Sequence, residues 1–290
     1  MKREPHLRGR GPHLPPLDQV VQYDFAPGYV LFTMPVPKRL RVEAVGITVA
    51  DTTRGVILHE SDQIPTYYFP IDDVRMELFG ETATRTRDPF KGEATNYTLE
   101  ASSGMRVEDF MWCFDSRVPG CPDLSGLVSF DWKKADRWLE EDEEIFVHPR
   151  DPYRRVDILP STRRVEVFVN GERVADSRRA LFLFETGLPT RFYIPPEDIA
   201  PGILSPSDTH SRCPYKGVAS YHDVTARGRG YKDLVWFYPE PVHESARIAG
   251  HLAFAHEFVD RILVDGVEQE RPVTTFSLGS NRGAAHPLAK

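Results

Sequence analysis

Apolar and polar residues alternate along "RRVEVFVNGERVADS", so that Val165, Val167 and Val169 share one side of an extended chain that turns at Asn170-Gly171. Alternation with period two marks a strand with one buried face, and Asn-Gly accepts the left-handed conformations that a two-residue hairpin demands. A second hairpin is predicted in "RILVDGVEQE", turning on Asp265-Gly266. The one stretch here with helical start and stop signals is "EPVHESARIAG", led by Pro241 and ended by Gly250. The pattern therefore predicts mainly antiparallel β structure with at most a short helix per copy of a repeated unit.

The repetition is plain when the chain is compared with itself. "VADTTRGVILHES" (Val49 to Ser61) answers "VADSRRALFLFET" (Val174 to Thr186), and "PTYYFPIDDV" answers "PTRFYIPPEDI" with one residue inserted. "DPFKGEATNY" (Asp88 to Tyr97) then pairs with "CPYKGVASY" (Cys213 to Tyr221), "MWCF" with "VWFY", and "SGLVSF" with "AGHLAF". The offset stays at 124 or 125 residues, so each half is one copy of about 110 residues; two copies are too few for a solenoid and predict tandem globular domains. The expected boundaries are an irregular extension over 1–38, a first domain over 39–139, a linker over 140–162, a second domain over 163–276 and a disordered tail over 277–290.

Composition changes this picture little. With 40% hydrophobic and 27% charged residues among 290, the chain has room for two cores, and 25 prolines favour loops and strand ends over long helices. Charge is more telling. The net −7 is uneven: residues 40–150 carry 12 basic and 22 acidic side chains, whereas residues 151–290 carry 18 of each. An acidic first half without a Lys/Arg tract argues against nucleic acid as a partner. The acid run "LEEDEEIF" reads as a solvated face rather than a metal site, because consecutive carboxylates diverge. Cys113, Cys121 and Cys213 lack CxxC spacing, which points to a reducing compartment, with cytoplasm as the expected location, and to no metal site. No apolar run is long enough to span a membrane, and no cofactor loop is required by any motif.

Candidate chemistry gathers in the second copy. Cys213-Pro214-Tyr215-Lys216 fits a turn with proline at its second position, relieved by Gly217, and such a turn brings Lys216 close to the thiol. An ammonium at that range favours a thiolate, which is how a nucleophilic cysteine is made; His251, His222 and His210 are candidate bases in the same copy. The bland alternative is that Cys213 is a small buried apolar residue. Tyr193, Tyr215, Tyr221, Trp236 and Tyr238 either wall a small-ligand pocket or pack a core. Glu185 and Arg191 either bind a ligand, Arg191 holding an anion with its planar fork, or form structural ion pairs. In the first copy Asp88 stands for Cys213, Phe90 for Tyr215 and Leu127 for His251, while Lys91 stays. A single site is therefore expected in the second copy, with the first as scaffold.

The segments "ETGLPTRFYIP", "SDTHSRCPYKGVASY", "VWFYPEP" and "IAGHLAF" resemble the signature segments of the DUF427 family, and "FVHPRDPYRRVDILPS" resembles the linker of its long, two-copy members. The resemblance covers roughly residues 25 to 276 and implies a β-tent, or Mss4-like, fold for each copy. Many β-tent proteins hold zinc with two CxxC pairs, which this chain lacks. A nucleotidyltransferase label attached to the family finds no support here: "GSNRG" at Gly279 has no paired carboxylates to hold Mg²⁺ on a triphosphate. Two classes of function remain open: a small-molecule site in the second domain that binds a polar or anionic ligand, with thiol-dependent catalysis as its sharper form, and a non-catalytic interaction module. Oligomeric state is left open.

Overall fold

The computed structural model describes residues 29–61, 63–101, 104–114 and 118–274. The expected tail over 277–290, and residues 1–28 of the expected extension, lie outside the described residues. The chain divides into two compact units between Tyr153 and Arg154.

Strands of the first unit, in chain order, are β1 (Leu31–Pro35), β2 (Leu40–Ala44), β3 (Ile47–Thr52), β4 (Val56–Glu60), β5 (Thr66–Pro70), β6 (Phe79–Asp88), β7 (Gly92–Glu100), β8 (Arg106–Phe114), β9 (Leu127–Phe130), β10 (Arg137–Glu140) and β11 (Glu143–Ile145). Those of the second are β12 (Val156–Pro160), β13 (Val165–Val169), β14 (Glu172–Ser177), β15 (Leu181–Glu185), β16 (Arg191–Ile194), β17 (Leu204–Cys213), β18 (Gly217–Ala226), β19 (Arg229–Phe237), β20 (Leu252–Phe254), β21 (Arg261–Val264) and β22 (Val267–Glu268). Each unit forms a seven-stranded and a four-stranded sheet. The orders are β1-β4-β5-β9-β8-β7-β6 and β11-β10-β2-β3 in the first, and β12-β15-β16-β20-β19-β18-β17 and β14-β13-β21-β22 in the second. Topology thus repeats strand for strand, and all paired strands run antiparallel.

Both predicted hairpins are present. Asn170 and Gly171 sit at φ 51° and 70°, Asp265 and Gly266 at 52° and 80°, the left-handed pairs that join β13 to β14 and β21 to β22. The expected helix is a 3-10 helix over His243–Ile248; among the described residues all helical segments are 3-10.

The expected boundaries need correction. β1 lies inside the segment expected as an extension, and β11 and β12 inside the one expected as a linker. Proline-rich flanks hid short edge strands whose pairing partners lie far along the chain: β1 pairs with β4 and β12 with β15. The acid run is likewise only partly a solvated face. Glu141, Asp142 and Glu143 are exposed at the β10–β11 turn, but Glu140 is buried, accepting from the Tyr67 hydroxyl at 2.6 Å and paired with Lys38 and Arg150.

Between the two sheets of the second unit lies its main core, built from Val165, Val167 and Val174 of the small sheet against Phe182, Phe192 and Ile194 of the large one. The large sheet also buries its other face. Leu183, Tyr193, Tyr221 and Tyr238 form a second cluster there, together with Ile158 of β12 and Ile248 of the 3-10 segment. Burial on both faces explains why "RFYI" reads as an unbroken apolar run after Arg191. The first unit repeats this with Leu31, Leu58, Tyr68 and Phe114.

Candidate functional site

The turn that opens the second cluster forms as expected. Lys216 N–H donates to the Cys213 carbonyl at 3.3 Å, closing the turn between β17 and β18. Gly217 follows at φ 99°, and a Cβ there would sit 3.2 Å from the Glu240 carbonyl oxygen, so glycine is required on both counts. The Lys216 ammonium points inward, where it donates to Glu185 Oε2 at 2.5 Å, with only 12% and 5% of the two side chains exposed. Burial pushes the Lys216 pKa down, but the Cys213 sulfur and the Glu185 carboxylate more than offset this and hold it above the ordinary lysine value.

Glu185 has a second cation. The Arg154 guanidinium lies 3.6 Å from its Oε1, donates to the Thr186 carbonyl at 3.2 Å and sits over the Tyr215 ring at 5.7 Å. Cys213, partly exposed, packs against the cluster's edge, as does Trp236. Behind them the aromatic residues pack as core. Tyr193 is fully buried and accepts from Trp236 Nε1 at 3.1 Å; burial pushes its phenol up to about 12. Burial likewise raises Tyr221, bonded to Ser211 at 2.7 Å, and Tyr238. Tyr215 and Tyr238 are 3% and 5% exposed, so the rings expected to wall a pocket close on one another, and the partly open members are Cys213 and Arg154.

Two expected members are engaged elsewhere. Both guanidinium nitrogens of Arg191 donate to the Glu257 carboxylate, at 2.8 and 2.6 Å, while the group lies 5.4 Å over Trp236. Its fork is already filled. Burial pushes the Glu257 carboxyl up, and Arg191 more than offsets it, leaving it below the usual range. His251 places Nδ1 3.0 Å from the Ala249 carbonyl oxygen of its own turn and makes no hydrogen bond or ion pair with Cys213 or Lys216.

The first unit rebuilds the frame and changes its charges. Lys91 donates to both oxygens of Glu60 at 2.8 and 2.6 Å, where Lys216 donates to Oε2 of Glu185 alone. Tyr68 and Trp112 hydrogen-bond as Tyr193 and Trp236 do. Asp88 replaces the thiol and lies 2.8 Å from the Lys91 ammonium. Burial pushes the Asp88 carboxyl up, while Lys91 and the Phe90 N–H more than offset it, so it stays below the ordinary carboxylate range. Tyr29 takes the place of Arg154, stacking on Phe90 at 3.7 Å between ring centres and donating to Glu60 at 2.5 Å.

A thiol is nevertheless present. Cys121, from the loop before β9, packs against this cluster. Burial pushes it up to about 11; Lys91 opposes this, and Asp88, Glu60 and Asp123 reinforce it. Its counterpart in the second unit is Ser245, fully buried and bonded to the Tyr215 carbonyl at 2.8 Å. Sequence reasoning missed Glu60, Tyr29, Arg154 and Cys121; the repeat alignment carried the signal for Glu60, which answers Glu185. A cleft of about 450 Å³ lined by Ile47, Thr48, Ala50, Asp51, Asp73 and Arg75 shares no residue with either cluster. Among the described residues no group of three His, Cys, Asp or Glu side chains is placed to hold a metal, and no helix is long and apolar enough to cross a membrane.

Two tandem antiparallel β units, each closing a buried lysine–glutamate pair beneath a Pro-x-Lys-Gly turn, define a two-copy β-sheet protein. The chain belongs to the family described as domain of unknown function (DUF427), whose sequence model matches residues 33–141 and again 157–265. No curated protein matches it.

Proposed function

We propose that the second unit binds a small polar molecule, anionic or neutral, at the Cys213–Lys216 turn, with Cys213 as its reactive group and the first unit as scaffold. The observation that carries this reading is the partly exposed Cys213 beside a buried ammonium that Glu185 holds in place. A thiolate formed there gains from that ammonium, and the surrounding tyrosines keep water from the rear of the site. Three free cysteines support a reducing, cytoplasmic setting. The test is alkylation of the native protein by iodoacetamide followed by peptide mapping. Cys213 is expected to label first and to slow in Lys216→Met; labelling of Cys113 or Cys121 ahead of it overturns the reading.

The second reading is a non-catalytic interaction module, favoured by the closed packing of Tyr193, Tyr215 and Tyr238. A metabolite screen by thermal shift separates the two, since a ligand that binds only the folded state raises the midpoint. Ligand stabilisation that survives unchanged in Cys213→Ala favours the module.

A further inference from the structure

The two clusters share a frame but differ in sign. In the second unit Glu185 faces two cations, Lys216 and Arg154, and the fourth member is a thiol. In the first unit Lys91 faces two carboxylates, Glu60 and Asp88, with Asp123 adding to the same side, and the residue in place of Arg154 is the neutral Tyr29. Counting Cys213 and Cys121 as neutral thiols, the second cluster holds one cation in excess and the first at least one anion. Nearby Arg191 does not alter the count, because Glu257 neutralises it. An excess cation in a largely buried place has to be balanced by an anion, and the part of it that faces outward is Arg154, with 34% of its side chain exposed.

From this inversion we infer that the second unit selects anionic ligands, such as small carboxylates or phosphates carrying an electrophilic carbon, with Arg154 as the specificity-determining residue and Tyr29 as the substitution that closes the first unit to them. This deepens the thiol-site reading and rests on it for the electrophile, although anion binding itself does not need the sulfur. Arg154 suits the role because its planar fork offers donors beyond those used on Glu185 and Thr186. Its stacking on Tyr215 holds the fork at the turn that carries Cys213.

Two probes that react by the same step test the charge separately from the thiol. Iodoacetate and iodoacetamide both lose iodide to an attacking thiolate: a carbon–sulfur bond forms as the carbon–iodine bond breaks, and iodide leaves. The ratio of their rates at one pH therefore cancels the fraction of thiolate and reports the field at the sulfur. In the full chain Cys213 is expected to show an iodoacetate-to-iodoacetamide ratio above that of a free cysteine peptide. That ratio should fall on the order of fivefold in Arg154→Tyr, the residue its repeat counterpart carries, and shrink in high salt. A ratio equal to the peptide's, or unchanged in Arg154→Tyr, overturns the selectivity. Should iodoacetamide fail to label Cys213, the thiol reading falls and thermal shift with inorganic phosphate decides the remainder. A midpoint raised in the native chain and not in Arg154→Tyr sustains anion binding; equal shifts end it.

Discussion

Glu60–Lys91 and Glu185–Lys216 are the same ion pair built twice, yet the residues around them set different chemistry. Both pairs span 31 residues of sequence and join the strand that ends in glutamate to the turn before the next long strand. Retention of the pair in both units marks it as part of the frame, whereas the positions that change, Asp88 against Cys213 and Tyr29 against Arg154, are where function can differ. The comparison also argues against treating a perturbed lysine as catalytic merely because it is perturbed: Lys216 owes its raised pKa to the Cys213 sulfur first and then to Glu185, a partner that serves the fold.

The largest effect should come from breaking the frame. Lys91→Met strands the largely buried Glu60 and the partly exposed Asp88, so urea unfolding of the full chain is expected to show the first unit losing about 3 kcal/mol. Lys216→Met should cost less, because Arg154 still faces Glu185. Finding Lys216→Met the worse of the two would break the comparison. Adding Glu60→Gln to Lys91→Met should recover part of the loss, since Asp88 alone then remains charged opposite the methionine.

Next in size is the thiol contrast. With its pKa pushed up to about 11, Cys121 should alkylate at pH 7.5 more than about tenfold slower than an ordinary peptide thiol of pKa about 8.5, the scarcity of thiolate being partly offset by its higher nucleophilicity. Rates at both cysteines from mass spectrometry check this, and a fast Cys121 would remove the distinction between the units. Its linkage has a definite sign: the folded state holds the proton more tightly, so this contribution to stability is present below the ordinary thiol pKa and is lost as pH rises through about 11.

Acid should separate the units more gently. His59 is buried, with Nε2 unbonded, its ring between Phe32 and Tyr153; burial lowers its pKa, opposed by Asp151. A lowered folded pKa means stability present above about 6.5 and lost as pH falls through the folded value. Phe184 stands at the same place in the second unit. His59→Phe is therefore expected to spare the first unit part of the loss between pH 7 and pH 5, read from urea midpoints; an unchanged acid limb contradicts it. His256, also lowered by burial, should keep the second unit's acid limb intact in that variant. The smallest effect belongs to the matched surface pairs Arg54–Asp73 and Arg179–Asp198, where alanine at either arginine should barely move the melting midpoint.

Much of this was legible in the residues. Alternation and Asn-Gly and Asp-Gly turns specify hairpins because both are local: the period of the chain and the left-handed tolerance of a few side chains act within a handful of residues. The Pro-Tyr-Lys-Gly turn is local too, and the internal repeat required the second unit to share the topology of the first. Family membership followed from the same segments. What the chain could not disclose was which distant groups meet. Glu185 and Lys216 become partners through the sheet order, Arg191 finds Glu257 across 66 residues, and Arg154, counted as linker, reaches the site because β12 pairs with β15. Cys121 enters by a loop and Ser245 on the 3-10 helix over His243–Ile248, while His251 bonds within its own turn. Local backbone preference determined the strands and turns; burial in a particular tertiary arrangement decided the charges, because the sign of a site depends on neighbours that only folding brings together.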